Sequence, residues 1–395
     1  MAGRPLAVST SDRMRGIAIS IAIITVVGIG ISIGGPLLGL VLEARGYSEG
    51  QIGTNTALAG VAVLLVTPFV AIWAQRIGTV RTCILMALLA SLSFALFYPM
   101  ESLTAWAVLR IVFHGAITIL FVISEFWINA LAPDHRRGVI MGVYATVLSL
   151  GFAVGPLVLG FTGSAGFLPF AIGAVLMAAA LPPLLIGGRA APDIPKGDKT
   201  DFWPFLFAAP LATTAAFVFG AAETAGFTFL ALYGVSVGFE EQQAVMLVAF
   251  LALGGVFAHI PLGLLADRMN RRLLLVICAG IGMVGGIAIP FAKDSFALLG
   301  AIVLAWGGLT AGLYTIGLTH LGARFKGGEL ASANAVFIFN YGLGMLFGPL
   351  LCGFAMEHMG PTGYPISVAG LFALYLLLAL FRIARDRRSK PSAAT

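Results

Sequence analysis

A chain of 395 residues with 59% hydrophobic side chains, 10% charged side chains and a mean hydropathy of +1.00 lacks the polar surface of a water-soluble domain. Soluble domains carry about 25% charged residues. A net charge of +6 would suggest nucleic acid in a soluble protein, but here the placement of lysine and arginine accounts for it. Cys83, Cys278 and Cys352 all fall inside apolar runs. They read as reduced packing residues, not as a disulfide framework or a metal site.

Apolar runs of roughly 20 residues, each long enough to cross a bilayer as a helix, recur along the chain. The first covers about Gly16–Leu42. It follows a polar, basic stretch and is too long for a cleaved signal peptide, so it reads as an uncleaved span. Five more follow at about Gln51–Ala74, Thr82–Pro99, Leu103–Leu131, Val139–Thr162 and Phe167–Ile186. A stretch rich in Pro, Gly and charge, from Gly187 to Phe202, then interrupts the pattern. The last six cover about Pro204–Tyr233, Gln242–Ala266, Leu273–Phe291, Phe296–Leu321, Leu330–Met356 and Pro365–Ala384. The expected architecture is an all-α membrane protein of twelve transmembrane helices in two pseudo-symmetric six-helix bundles. The bundles would be residues 1–187 and 204–395, joined by a cytoplasmic linker over 188–203.

Of the 23 lysines and arginines, all but Arg45, Lys293 and Arg110 fall in the termini and in alternate connections. Arg76 and Arg81, Arg136 and Arg137, and Arg268, Arg271 and Arg272 mark such connections. The excess of Lys and Arg on cytoplasmic loops therefore predicts both termini inside. The positive charge is topology, and no nucleic-acid partner is expected.

The halves resemble each other. The segment from Arg45, "RGYSEGQIGTNTALAG", aligns without gaps on the segment from Val237 at an offset of 192. Gly46/Gly238, Glu49/Glu241, Gln51/Gln243, Ala74/Ala266 and Arg76/Arg268 coincide, as do Gly28/Gly220 in the first span of each half. "GFAVGPLVLGF" (Gly151–Phe161) matches "GMLFGPLLCGF" (Gly344–Phe354). Two parallel six-helix halves with a site between them at mid-membrane is a transporter plan.

Between spans 8 and 9 stands "GLLADRMNRR", four charges in a greasy chain. With the twelve spans and the repeat, it resembles the signature loop of the major facilitator superfamily, Gly-x-Leu-Ala-Asp-Arg-x-Gly-Arg-Arg. Gly263, Leu265, Ala266, Asp267, Arg268, Arg271 and Arg272 match; Asn270 stands at the second glycine, and Asn tolerates a left-handed backbone. The first-half copy keeps Arg76 and Gly78 but has Gln75 and Ala71 where the family has Asp and Gly. The resemblance implies that Asp267 and Arg268, with Arg271 and Arg76 beside them, form a cytoplasmic gate held by charge-assisted contacts in one state and released in the other. The solvated anchor is the plainer reading of Arg271 and Arg272. The Gly151–Gly160 element resembles a span-5 motif of exporters, and tight helix packing explains it equally well. The chain also resembles a compact bacterial 12-span permease branch, which implies the inner membrane and a monomer.

Ionisable groups enter the membrane selectively. Spans 3, 6, 9 and 12 hold none in their cores, whereas Arg110, His114 and Glu125 lie in span 4, Glu223 in span 7, His259 in span 8 and His320 in span 10. The resemblance implies that spans 1, 4, 7 and 10 line the cavity and 3, 6, 9 and 12 face lipid. A charge at bilayer depth costs at least about 2.5–3.5 kcal/mol and is rarely idle. At about 100° per residue, Arg110, His114, Thr118 and Glu125 share one face of span 4. Glu223 is a candidate proton carrier or substrate ligand. Trp306 and Tyr314 in span 10, and Asn340 and Tyr341 in span 11, are candidate cavity residues, as are Asn55 and Ser32.

No phosphate loop of the Gly-Lys-Ser/Thr kind and no His-Glu-x-x-His occurs in the sequence. Neither enzymatic activity nor a cofactor is expected. The reading is a secondary active transporter of a small solute, proton-coupled through Glu223 and Glu125, with Arg110 and His114 touching substrate or tuning the proton site. Export of drugs or metabolites is the alternative within the class. A non-transporting sensor on a transporter fold is the alternative outside it, and the short C-terminal tail speaks against a sensor.

Overall fold

The computed structural model describes residues 10–132, 137–187, 191, 205, 209–325 and 327–388. The linker, residue 191 apart, and Arg136 and Lys326 lie outside the described residues. Twelve long helices account for nearly all of the rest, and no strand occurs among the described residues. They are α1 (Thr10–Ala44), α2 (Glu49–Ile77), α3 (Thr79–Leu96), α4 (Leu103–Leu131), α5 (Arg137–Thr162) and α6 (Leu168–Ile186), then α7 (Pro210–Ser236), α8 (Glu241–Arg268), α9 (Arg271–Ala292), α10 (Phe296–Arg324), α11 (Gly327–Met359) and α12 (Gly363–Arg388). One 3-10 turn, Thr67–Phe69, interrupts α2 at its proline. Eleven helices are long and apolar enough to cross a membrane, and α5 carries a shorter apolar stretch, Thr146–Thr162.

The repeat is built into the backbone. Both α2 and α8 open with a capping box, in which a helix-entry side chain and the third helical residue satisfy each other's amides. Gln51 Oε1 accepts from Ser48 N at 3.0 Å, and Gln243 Oε1 accepts from Glu240 N at 3.3 Å. Two residues before each box stands a glycine with positive φ, 82° at Gly46 and 100° at Gly238, a conformation that costs glycine little. The offset of 192 thus fixes the same entry turn twice. At the start of α9, Asn270 differs from its expected role. Its backbone is extended, with φ −64° and ψ 112°, and its Oδ1 caps the helix by accepting from Arg272 N at 3.0 Å. A short acceptor side chain suits that position better than glycine would.

Glycines set the helix spacing. A Cβ on Gly151 of α5 would lie 3.1 Å from the Thr25 carbonyl oxygen and 3.3 Å from Ile29 N on α1. A Cβ on Gly344 of α11 would meet the Phe217 carbonyl and lie 2.7 Å from Ala221 N on α7. Thr25 and Ile29 are the repeat mates of Phe217 and Ala221. The α1–α5 and α7–α11 pairs are therefore one contact made twice, with backbones too close for a side chain. Here the Gly-Pro elements serve as packing surfaces.

Burial ranks the helices as the resemblance implied. In their apolar windows α1 and α7 are 72% and 78% buried, whereas α3, α6, α9 and α12 are 33–39% buried. The latter present Leu88, Leu92, Val175, Val284, Leu374 and Phe381 outward, an apolar surface that suits lipid and not water.

The bundles meet along α2–α11, α5–α8 and α1–α7. The terminal face is taken as the face where α1 begins and α12 ends. Close approaches between the bundles run from the opposite face to about mid-span. Gly53 abuts Pro349 and Gly353, Gly60 abuts Gly342 and Leu346, and Gly35 abuts Phe227. Where α5 turns into α6, Ser164 N donates to Glu241 Oε1 at 2.6 Å, a charge-assisted bond between the bundles.

Gly344→Val should lower the thermal midpoint of the purified protein, since overpacking a filled contact costs about 1–3 kcal/mol. Gly280→Ala, where nothing stands within 4 Å, should leave it unchanged. Equal midpoints for the two variants would refute the packing role.

Candidate functional site

Arg110 sits about two turns into α4 from the opposite face and is 1% exposed. Its Nε donates to Asn55 Oδ1 on α2 at 3.0 Å. Arg110 Nη2 and Asn55 Nδ2 have no hydrogen-bond partner. Burying a guanidinium with so few acceptors is costly. His114 stands one turn on, its Nδ1 3.1 Å from the Arg110 carbonyl oxygen. Thr118 continues the stripe by donating to the His114 carbonyl at 2.7 Å. The predicted polar face is therefore present, but its upper part is occupied by local bonds and by Asn55.

Towards the terminal face, Glu125 is half-buried and lies within electrostatic reach of Tyr144 on α5 and Tyr314 on α10. Glu223, half-buried on α7, is within reach of the same Tyr314. Tyr341 of α11 donates its hydroxyl to Glu223 Oε2. Gly220, one turn before Glu223, makes room for this ring: a Cβ there would lie 2.9 Å from Tyr341 Cδ2.

Glu223 lines a small cavity of about 60 Å³ between α5, α7, α8 and α10. Phe152, Phe219, Phe227 and Trp306 supply most of its wall, and His259 and Thr310 add polar atoms. His259 Nδ1 pairs with Thr315 Oγ1 at 3.0 Å, which joins α8 to α10. His259 thus stands on the cavity wall. Trp306 lines the wall with its ring, while its Nε1 donates to the Gly282 carbonyl on α9 at 3.0 Å. Asn340 turns back on its own helix, donating to the Val336 carbonyl at 2.9 Å. Tyr341, one residue on, is the α11 residue that reaches Glu223. No sequence signal separated these neighbours beyond the glycine opposite, at Gly220.

At the terminal face Arg76 and Arg268 are exposed, and Asp267 pairs with Arg271 across the turn between α8 and α9 at 3.9 Å. Arg271 Nε also donates to the Ala266 carbonyl at 3.1 Å. The four gate candidates cluster by loop, and none of these contacts joins the bundles in this structure. Among the described residues no group of His, Cys, Asp and Glu is arranged to hold a metal.

Two homologous six-helix bundles that enclose a mid-span cavity, with their charges turned inward and aliphatic surface outward, define a multi-pass membrane transporter. The family model of the Major Facilitator Superfamily matches residues 20–312 and 258–395, and the chain belongs to that superfamily. Among its relatives, YfkF of Bacillus subtilis (strain 168), an uncharacterized MFS-type transporter, is 22% identical over 82% of this chain and 84% of its own. A Yersinia pestis (strain Pestoides F) protein described in the same words is 26% identical over 93% and 95%. A bacterial homolog of the human lysosomal transporter Spinster, solved in an inward-facing and occupied conformation, superposes with a TM-score of 0.76 at 15% identity, covering 98% of this chain and all of that one. The nucleoside transporter NupG superposes at 0.72 and 14%, covering 96% and 100%. At such identities the likeness is one of fold.

Two outcomes follow from the geometry. Removing the inter-bundle bond with Glu241→Ala should increase the population open at the opposite face, read as wider spin-label distances across α2–α11. Unchanged distances would show that the bond is incidental. Arg110→Met alone strands Asn55 Oδ1 and should cost about 1–3 kcal/mol in thermal stability. The double change Arg110→Met with Asn55→Leu should restore or exceed the parental midpoint, because an apolar pair replaces a poorly compensated charge.

Proposed function

We propose that the chain is a secondary active transporter that moves a small solute by alternating access, rocking its two bundles about the α1–α7, α2–α11 and α5–α8 contacts and coupling to the proton gradient through Glu223 and Glu125. The observation that carries this reading is a carboxylate, Glu223, held by the Tyr341 hydroxyl at the wall of a mid-span cavity. A carboxyl in such a place either holds a proton or must meet a cation when it loses one. Domain rocking changes its access from one side to the other. Residues 1–187 and 204–395 would be the rocking bodies and 188–203 their linker.

The terminal face is taken as cytoplasmic, with both termini inside a bacterial inner membrane, on the distribution of lysine and arginine. The bonds that close the opposite face then make this the inward-facing state. In the outward-facing state Asp267, Arg268, Arg271 and Arg76 would approach across the cytoplasmic side. Arg110 and Asn55 lie beneath the contacts that would part, so they would meet the solute from outside. The working unit is taken as a monomer.

The test begins with a thermal-shift screen of the purified protein to find a ligand. Concentrative movement of that ligand in proteoliposomes should collapse on addition of a protonophore. Glu223→Gln should abolish pH-driven accumulation by tenfold or more while leaving counterflow exchange. Accumulation that survives the protonophore sinks the coupling.

A further inference from the structure

A second cleft, of about 680 Å³, opens at the opposite face beside α2, with α4 on one flank and α11 on the other. Gln51 and Thr54 of α2, Thr104 of α4 and Glu357 of α11 give it a polar mouth, and Leu58 and Phe354 make its deeper wall apolar. Asn55, also on the wall, is 2% exposed, and its Nδ2 has no hydrogen-bond partner. Gly50 leaves room for the α11 side chains: a Cβ there would meet Glu357 Oε2 and lie 3.2 Å from Phe354 Cδ1. At Glu357 the two halves differ. When Gly160 is aligned on Gly353, its mate is Ser164, whose amide donates to Glu241 in the other inter-bundle contact. Glu357 makes no such bond; its carboxylate has no hydrogen-bond or ion-pair partner among the described residues. No lysine or arginine lines the cleft among the described residues. Arg45, which reaches the same face, is engaged by the Met100 and Tyr98 carbonyls and by the Trp106 ring.

The cleft lies on the lipid side of the molecule. Gln51, Thr54, Leu58 and Leu65 recur at helical spacing along one outward face of α2, and Phe347, Leu351 and Phe354 do the same on α11. From the mouth inward the surface passes from hydrogen-bonding groups to exposed aliphatic and aromatic ones, the order of a phospholipid from headgroup to chain. The single charge on the wall is negative, so an anionic headgroup is repelled. A primary ammonium brings three N–H donors to a carboxylate, and such charge-assisted bonds are the strong ones; a quaternary ammonium brings none. We propose that this cleft binds a phospholipid with a primary-amine headgroup, of the ethanolamine class. Its ammonium sits on Glu357 beside Gln51 and Thr54, the Asn55 amide offers a donor to a phosphate or ester oxygen, and an acyl chain follows Leu58 and Leu65. Such a lipid joins α2 and α4 of one bundle to α11 of the other, across a contact that rocking would open, and so favours the state seen here. That consequence rests on the proposed transport function; the site rests on the cleft alone.

The experiment titrates the delipidated full-length protein in detergent with phosphatidylethanolamine, phosphatidylcholine and phosphatidylglycerol of one chain length, and reads bound lipid by native mass spectrometry. A saturable site is expected that takes the ethanolamine lipid at least tenfold tighter than the glycerol lipid and at least threefold tighter than the choline lipid. Glu357→Gln should weaken ethanolamine-lipid binding at least fivefold and erase its advantage over choline. Thr54→Trp, which fills the cleft, should remove the saturable site for all three lipids. Glu101→Gln, which neutralises an exposed carboxylate of the same face outside the cleft wall, should change nothing and controls for bulk charge. Equal affinities for the three headgroups, or ethanolamine-lipid binding unchanged in Glu357→Gln, overturns the proposal. Glycerophosphoethanolamine, the same headgroup without chains, should bind at least a hundredfold more weakly; equal binding overturns the lipid in favour of a soluble amine. None of these outcomes touches the proposed transport function, which is read separately by protonophore-sensitive accumulation.

Discussion

Hydrocarbon does not solvate charge, and the arrangement of this protein follows from that. Arg110, Glu125 and Glu223 cannot face acyl chains without a penalty of several kcal/mol. They lie on α4 and α7, helices surrounded by other helices, with Arg110 sealed between α2 and α4 and Glu223 at a cavity wall. The outer helices α3, α6, α9 and α12 carry the leucines, isoleucines and phenylalanines that lipid tolerates. The few charges that do enter the membrane thereby mark its interior.

The second constraint is backbone approach. Lipid offers no hydrophobic reward for joining helices, so they adhere by close packing. Glycines provide it at two kinds of place. Gly151 and Gly344 join helices within a bundle, and Gly35, Gly53 and Gly60 join the bundles to each other. Packing within a bundle has to be permanent. Packing between bundles has to be reversible if the bundles rock, and the Ser164–Glu241 bond adds a polar clasp that can be made and broken.

Much of the fold was legible along the chain, because lipid demands long apolar runs and because the offset of 192 repeats residue by residue. The capping boxes at Ser48 and Glu240 follow directly from that repeat. The site was less legible. Periodicity put Arg110, His114 and Glu125 on one face, but it gave no account of Asn55 as the arginine's partner, since that bond joins residues 55 positions apart. Asn340 and Tyr341 are equally suitable by sequence. Rotation of one helix against another decides such questions, and a single sequence carries little trace of it.

The sequence by itself determined the class of molecule, the number of long helices, their pairing into halves and the identity of the charges placed in the membrane. Each of these depends on local composition or on a repeat, and local composition is what a bilayer tests. The tertiary structure alone decided that Tyr341 holds Glu223, and that Arg110 stands apart from the aromatic cavity. Those relations depend on distances between helices far apart in the chain, set by the glycines that let their backbones touch.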